Sequence, residues 1–585
     1  MLLGACAAGD QQPAPTQTPA ATAAASVPTA ALAPATVPAV TSPTADQTPT
    51  PQLDIPTVPP TITAAPTATP FPLQAGWWDD AVCYEIFVRS FYDSDGDGIG
   101  DLNGLIQKLD YINDGDPKTA RDLGATCIWL MPIMPSPSYH GYDVTDYYAV
   151  NPQYGTSDDF KRLVAEAHRR GIKVLIDLVL NHTSREHPWF QEALTDPASP
   201  HRDWYVWSKD NPGYAGPDGQ QVWHKSPLRD EYYYGVFSDA MPDLNYRTPA
   251  VTEEARKISL FWREQMGVDG FRLDAVRHLV ENGRRQVDTR ETHAWLRDFQ
   301  AFLDKESPGA YTIGEIFGGS GDTLGAYYPD QLDMYFEFQI GKTLVPAADY
   351  GAVDALRRAI QVAGQNLPFQ RWAPFLTNHD QNRVMGSFGG DPAKAKIAAT
   401  ALLSLPGLPF VYYGEEIGMV GDKPDEQIRT PMQWSGSDGG GFSAGAPWEP
   451  LPPSYAQVNV AAQERDPGSL LNTYRRMIQL HTSSPALAHG SLALASASNA
   501  KVLAFVRQAG DSAVLVVLNF DEAAADGVTI SLDRSELAPA TYQARPLLGK
   551  DAGAPLAVGD GGAIAGYAPL PSLGPRTGYL FALTR

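Results

Sequence analysis

Arg272 and Asp274 stand two residues apart in Gly270-Phe271-Arg272-Leu273-Asp274-Ala275-Val276-Arg277-His278, at the end of an apolar run. On a strand, that spacing puts both side chains on one face. A guanidinium beside a carboxylate lowers the carboxylate's pKa and keeps it ionised, as a nucleophile attacking carbon requires. Taken alone, the spacing describes a structural ion pair at least as well as a catalytic one. Two more acids close β-prone runs: Glu315 after Tyr311-Thr312-Ile313-Gly314, and Asp380 after Phe375-Leu376-Thr377-Asn378-His379. Each run follows a segment with helical periodicity. The acids are therefore expected at the C-terminal ends of strands in a (β/α) barrel, where such barrels carry their chemistry. Three convergent carboxylates with an arginine and a histidine suit cleavage of a glycosidic bond: one nucleophile, one acid/base and one group that holds the sugar's hydroxyls.

The elements that must position these acids follow from the apolar runs. Residues 82–91, 126–131 and 173–180 read as the first three barrel strands, mostly apolar as parallel strands buried on both faces are. Strands four, five and seven end at Asp274, Glu315 and Asp380, a sixth falls at 332–336, and 408–413 closes the barrel. After the third strand the alternation stops, and residues 183–240 are rich in Trp, Tyr, Pro and Asp, which marks an insertion. From about Leu492, short alternating strands such as Val514-Leu515-Val516-Val517-Leu518, with Gly and Pro turns, predict a C-terminal antiparallel β-sandwich. The expected fold class is α/β: a (β/α)8 TIM barrel over 76–182 and 241–488, with the insertion between and the sandwich at 489–585.

Composition narrows the partners. A chain of 585 residues with 43% hydrophobic and 19% charged content has the make-up of a folded soluble protein with more than one domain. A net charge of −23 argues against nucleic acid or anionic membrane, which both require a basic surface, whereas a neutral polysaccharide makes no such demand. No run of about 20 apolar residues is present to form a transmembrane helix. Residues 1–75 differ in kind: from Gln11 to Leu73 the chain is mainly Pro, Thr and Ala, too poor in burial to offset ordering, and is expected to be an extended tether. Leu3-Gly4-Ala5-Cys6 resembles the lipobox of bacterial lipoproteins, although the basic and apolar regions that precede such a box are missing here. The resemblance implies a lipid anchor at Cys6 and an extracellular, cell-surface location. Cys83 and Cys127 lie in apolar runs without metal or redox spacing, so buried free thiols are expected.

Together with Asp177-Leu178-Val179-Leu180-Asn181-His182 and Met241-Pro242-Asp243-Leu244-Asn245, the three acid-bearing segments resemble, in order, the motifs of the α-amylase family, glycoside hydrolase family 13. The match runs from about Trp77 to the C-terminus, and the insertion resembles that family's B domain. The resemblance implies that Asp274 is the nucleophile forming a covalent glycosyl ester, Glu315 the acid/base and Asp380 a clasp on sugar hydroxyls. The reaction would then be retaining, with the first two carboxyls roughly 5 to 5.5 Å apart. It implies that Arg272 keeps Asp274 charged and that His182 and His379 bind hydroxyls of the sugar being cleaved. Tyr142, in His140-Gly141-Tyr142-Asp143, would stack beneath that sugar. Asp143, Asp177 and Arg383 complete the candidate substrate-binding set, with Asp177 expected to brace loops or Arg272.

A calcium ion is also expected. Asp93, Asp95, Asp97 and Asp101 occupy positions one, three, five and nine of a loop with Gly98 at six and the carbonyl of Ile99 at seven, like the first part of an EF-hand; Gly104 replaces the glutamate at twelve. Four clustered carboxylates would repel one another without a cation, and a similar loop binds Ca²⁺ in part of the family. Asn181, Asp243 and the carbonyl of His278 match the family's shared calcium ligands and form a second candidate. Arg429-Thr430-Pro431-Met432-Gln433-Trp434 resembles the group spanning oligo-1,6-glucosidases and neopullulanases. Exo-acting members there carry an Asp that blocks the cleft, two residues before Gly-Tyr-Asp; this chain has Tyr139, and Ala275 stands where 1,6-specific enzymes tend to have Val. The reading is an endo-acting, monomeric hydrolase of α-1,4 links in starch and malto-oligosaccharides. Exo-glucosidase, transglycosylase or isomerising trehalose synthase activity are alternatives, as is a non-catalytic sugar-binding relative.

Overall fold

The structure, a computed structural model, describes residues 76–585, so the expected tether and Cys6 lie outside the described residues. Eight short parallel strands form the barrel: β1 (Cys83–Ile86), β2 (Cys127–Leu130), β3 (Lys173–Leu178), β4 (Gly270–Leu273), β5 (Tyr311–Gly314), β6 (Met334–Glu337), β7 (Trp372–Pro374) and β8 (Phe410–Tyr412). They pair in sequence order, and β1 also pairs with β8, Cys83 opposite Phe410. The seam between β7 and β8 has no ladder, but the Leu408 N–H donates to the Trp372 carbonyl at 2.8 Å, so the barrel is nearly closed.

Period-two alternation divides the strand residues between two environments. Tyr84, Ile86, Ile128, Leu130, Val174, Ile176 and Phe271 point outward into the core shared with the helices. Cys83, Cys127, Leu175, Tyr311, Met334 and Phe410 fill the lumen as an apolar floor, against which Trp78 packs. Above that floor the inward positions turn polar. Glu85, Asp177 and Arg272 occupy the next layer, and Asp274 and Glu315 stand just past the ends of β4 and β5. Gly270 permits this crowding: a Cβ there would lie 2.1 Å from the Tyr311 carbonyl oxygen.

The strands are shorter than the apolar runs suggest. The first ends at Ile86 rather than extending to residue 91, because Val88–Ser90 forms a 3₁₀ turn with Ser90 N–H on the Phe87 carbonyl. The seventh ends at Pro374, so Phe375 to Asp380 is a loop and Asp380 lies six residues beyond its strand. The expected free thiols are corrected too: Cys83 and Cys127 face each other in register across β1 and β2 and are joined as a disulfide. Forty-four residues separate them in sequence, and only the parallel pairing brings their Cα atoms to 4.3 Å.

Helix α1 (Leu102–Ile112) starts at Asp101, whose side chain accepts from the Gly104 N–H, and α2 (Ser157–Arg169) starts with a Thr156/Asp159 capping box. Between β3 and β4 the insertion forms the helix Pro188–Thr195 and a three-stranded antiparallel sheet of Trp207–Ser208, Trp223–Lys225 and Tyr232–Tyr234, with a small core of Val222, Trp223, Tyr234 and Val236. The C-terminal part is an eight-stranded antiparallel sheet with a two-stranded ribbon. Leu503, Phe505, Val516, Leu518 and Leu580 join the barrel's core, whereas Val502, Ala504, Leu515, Val517 and Phe581 form a core of their own with Leu556, Ile564 and Leu573. Arg507, fully buried between these parts, donates to the carbonyls of Ser404, Gly490 and Ser491.

Candidate active site

Strand β4 delivers Arg272 into the lumen, and the guanidinium, 1% exposed, meets three carboxylates. Its Nη1 lies 2.8 and 3.0 Å from the two oxygens of Asp177 and 2.7 Å from Asp274 Oδ1; its Nη2 lies 2.8 Å from Glu315 Oε2. Below and beside it are the rings of Trp129 and Tyr142, 5.2 and 5.7 Å from the guanidinium carbon. One positive charge thus serves three buried acids, and the acids share the deficit unequally. Burial, then repulsion from Asp274 and Asp380 against the pull of Arg272, raises Glu315 to about 7. Burial and Asp274 likewise raise Asp177 to about 6. Ala275 follows Asp274 at φ 51°, a left-handed conformation unfavourable for a residue with a Cβ, which turns the chain and directs its N–H at Glu315 Oε2, 3.3 Å away.

The third acid is held differently. Asp380 Oδ1 lies 3.0 Å from Arg429 Nη2, and Oδ2 lies 3.2 Å from His379 Nε2. Burial works against its ionisation, but His379 and Arg429 outweigh it and hold the carboxyl well below the usual range. For His379 burial opposes the charge as well, and Asp380 with Glu85 overcomes it, to about 9. His182 shows the opposite balance: burial lowers its pKa, and its Nε2–H donates to the Tyr142 carbonyl at 3.2 Å. Tyr142 donates its hydroxyl to Asp177 Oδ2 at 3.0 Å and stacks on the His379 ring at 5.5 Å between centroids.

A cavity of about 330 Å³ opens over this layer. Asp274, Glu315, Asp380, Tyr142 and His182 line it, with Arg429 and the exposed rings of Phe237 and Phe317 toward its mouth. Of the other candidate binding residues, Arg272, Asp177 and His379 are buried beneath the cavity and do not line it, and two more serve the loops. Arg383 is buried with Nε and Nη1 on the carbonyls of Ile428 and Tyr413, at 2.9 and 2.7 Å, so it organises the loops after β7 and β8. Asp143 accepts from the hydroxyls of Ser136 and Ser138 and braces its own loop. Arg429, by contrast, was visible in sequence only as part of a subgroup motif, yet it pairs with Asp380. Glu85, which pairs with His379, carries no motif, and its only signal in sequence is that it is the one charge in the run Val82 to Val88.

The loop after β1 brings Asp93, Asp95 and Asp101 together with one oxygen from each within 4.8 Å of the others; Asp97 is not in that group. Both Asp93 oxygens accept from loop N–H groups, at Gly96 and Gly98, and Ser443 also donates to one of them. Asp97 Oδ1 accepts from the Ile99 N–H. Among the described residues no basic side chain pairs with these three carboxylates, and such a group suits a hard cation. At the second candidate, Asn181 Oδ1 is buried without a hydrogen-bond partner, 3.1 Å separates the Asn181 amide nitrogen from Asp243 Oδ2, and burial raises Asp243 well above the usual range. An orphaned amide oxygen beside a buried acid lacking a cation fits a metal ligand set as well.

Residues 85–490 match the family described as alpha amylase, catalytic domain. Alpha-amylase 3 of Dictyoglomus thermophilum is 39% identical over 450 residues, 76% of this chain and 85% of that protein. A trehalose synthase/amylase of Mycobacterium tuberculosis is 36% identical over 501 residues, 76% of this chain and 82% of that one. The crystal structure of the alpha-amylase from H. orenii superimposes with a TM-score of 0.74 at 39% identity, covering 86% of this chain and 99% of that chain.

Glu315, raised to about 7, is in its donor form below that pH and loses the proton above it. Cleavage that uses Glu315 as general acid therefore falls in kcat/KM as pH rises through about 7. A pH–rate profile that stays flat through this range contradicts the assignment.

Proposed function

The chain belongs to the α-amylase family, glycoside hydrolase family 13, and from that premise we propose that it cleaves internal α-1,4 links of starch and malto-oligosaccharides with retention of configuration. In this reading Asp274 attacks the anomeric carbon while Glu315 gives its proton to the departing glycosidic oxygen. The bond from carbon to that oxygen breaks as the ester to Asp274 forms. Glu315, now a carboxylate, takes a proton from water, whose oxygen replaces Asp274 at the same carbon. Tyr142 underlies the sugar, His182 and Asp380 hold its hydroxyls, and His379, its Nε2 3.2 Å from Asp380 Oδ2, backs Asp380 from below. The observation that carries the proposal is the Arg272 cluster, where an acid raised to about 7 stands beside a second acid on the same guanidinium, the pairing that a retaining mechanism needs.

Endo action is favoured by the residue two places before Gly141-Tyr142-Asp143. Tyr139 takes the place of the blocking Asp and lies against Trp448 at 5.3 Å between ring centroids, and Arg383, which matches the arginine after the third acid with which that Asp pairs in exo-acting members, is spent on backbone carbonyls. Ca²⁺ belongs to the proposal: Asp93, Asp95 and Asp101 would hold it in the loop after β1, and Asn181 and Asp243, with the carbonyl of His278, would hold a second ion. The part of the first ion would be to tie its loop, since none of Asp93, Asp95 and Asp101 lines the cavity; the second would sit at the cavity's edge, where His278 is part of the lining. A bacterial cell-surface location through lipid at Cys6 is proposed as well, supported by the tether composition and by a disulfide that suits an oxidising compartment.

Maltoheptaose should yield mainly maltose and maltotriose by chromatography. Glucose alone would overturn the endo reading, and trehalose or longer chains would replace hydrolysis with transfer. Asp274→Asn should cut kcat by more than ~10³-fold, as loss of a covalent nucleophile does. Chelation followed by gel filtration should lower the thermal midpoint, and calcium at about a hundred times its Kd should restore ~2.7 kcal/mol of stability. An unchanged midpoint, with no calcium in the purified protein by elemental analysis, contradicts the metal assignment.

A further inference from the structure

Glu85 is a buried carboxylate on β1, one layer below the cavity, and no step of the proposed reaction uses it. Its Oε1 lies 2.6 Å from His379 Nδ1. The other ring nitrogen of His379 faces the cavity side, with Nε2 2.6 Å from the Tyr142 hydroxyl and 3.2 Å from Asp380 Oδ2. The hydroxyl in turn is 3.0 Å from Asp177 Oδ2, and Asp177 is bound by Arg272. Buried groups thus form one chain from β1 to the guanidinium that carries Asp274 and Glu315.

Above pH about 6, where Asp177 is ionised, the proton positions along this chain follow from its ends, because an ionised carboxylate only accepts. Asp177 accepts from the Tyr142 O–H, which spends that group's single proton. The Tyr142 oxygen, like Asp380 Oδ2, is then an acceptor for His379 Nε2–H. At the opposite end Glu85 accepts from Nδ1–H. Both ring nitrogens therefore carry hydrogen, and a neutral imidazole would leave one of its acceptors facing a lone pair. We propose that Glu85 is a positioning residue that fixes His379 as an imidazolium, so that Tyr142 and Asp380 are held in place beneath and beside the sugar undergoing cleavage. The kinetic consequence rests on the functional reading above; the protonation state of His379 does not.

The charges around this pair are mixed. His379 faces Asp380, Asp177 and Glu315 as well as Glu85, with Arg429 donating to its own carbonyl. Glu85 has Tyr412 and Glu415 from the β8 side as neighbours. Asp380 and Glu85 are the two groups that outweigh burial and raise His379 to about 9. Sign follows directly: the imidazolium persists below that value in the native chain, and with the Glu85 charge removed it is lost at lower pH as pH rises.

The test is a titration of the full-length enzyme labelled with ¹⁵N-histidine, the His379 resonance being assigned from its absence in His379→Gln. In the unaltered enzyme both nitrogens should be protonated at pH about 8, and Glu85→Gln should lower the midpoint by at least about one pH unit. The ratio of variant to native kcat on maltoheptaose should be near unity at pH about 5 and fall ~10-fold or more by pH about 8, with Glu85→Asp recovering part of the loss. A neutral His379 at pH about 8 in the unaltered enzyme overturns the proposal whether or not the variants fold. A kcat ratio constant across pH overturns it too, since a merely structural defect lowers activity at every pH. Absence of α-1,4 hydrolysis by the native enzyme would sink the functional reading and leave the titration to decide the His379 assignment.

Discussion

Placing one guanidinium among three carboxylates inside a barrel is the constraint on which the site depends. Arg272 cannot neutralise Asp177, Asp274 and Glu315 together, and removing it would leave three buried carboxyls without their shared cation. The deficit appears as raised pKa values at Glu315 and Asp177. In the proposed reaction this makes Glu315, an acid raised by its environment rather than by its residue type, the proton donor. Asp380 is held by Arg429 and His379 instead, although its charge still adds to the repulsion that raises Glu315.

Such a cluster has to be built by strands, because only the period-two geometry aims neighbouring side chains inward at fixed height. Register sets Asp177 beside Arg272 and Arg272 beside Ile313, so the first polar layer is a consequence of pairing, and Asp274 and Glu315 follow one step higher on the same strands. The apolar floor of Tyr311, Met334, Phe410 and the Cys83–Cys127 pair closes the lumen from below. Packing below and charge above meet in a single layer, where Glu85, Asp177 and Arg272 are fully buried and polar.

Much of this was legible in sequence, and the exceptions have physical reasons. Arg272, Asp274 and Glu315 were readable because the motif lies within or one residue past a strand, so local spacing determines which face they share. Asp380 was read as a strand end, but Pro374 stops the ladder and a loop carries the acid to the site. Arg383 and Arg429 illustrate the limit of motif reasoning: both are buried arginines near the third acid, and only the loop conformations after β7 and β8 decide that the second reaches it. The disulfide and the role of Glu85 depend on contacts 44 and 294 residues apart in sequence, beyond any local pattern, although a lone charge in an apolar run was a signal for the latter.

The central claim is that the Arg272 cluster presents Asp274 as a nucleophile to the anomeric carbon. Incubation with a maltosyl fluoride bearing a second fluorine on the reacting ring slows release of the covalent intermediate, and digestion with tandem mass spectrometry then locates the sugar. The account predicts a glycosyl adduct on Asp274 in the native enzyme and its absence in Asp274→Asn. An adduct on Glu315, Asp380 or Asp177, or turnover of the reagent with inverted configuration and no adduct, would contradict it.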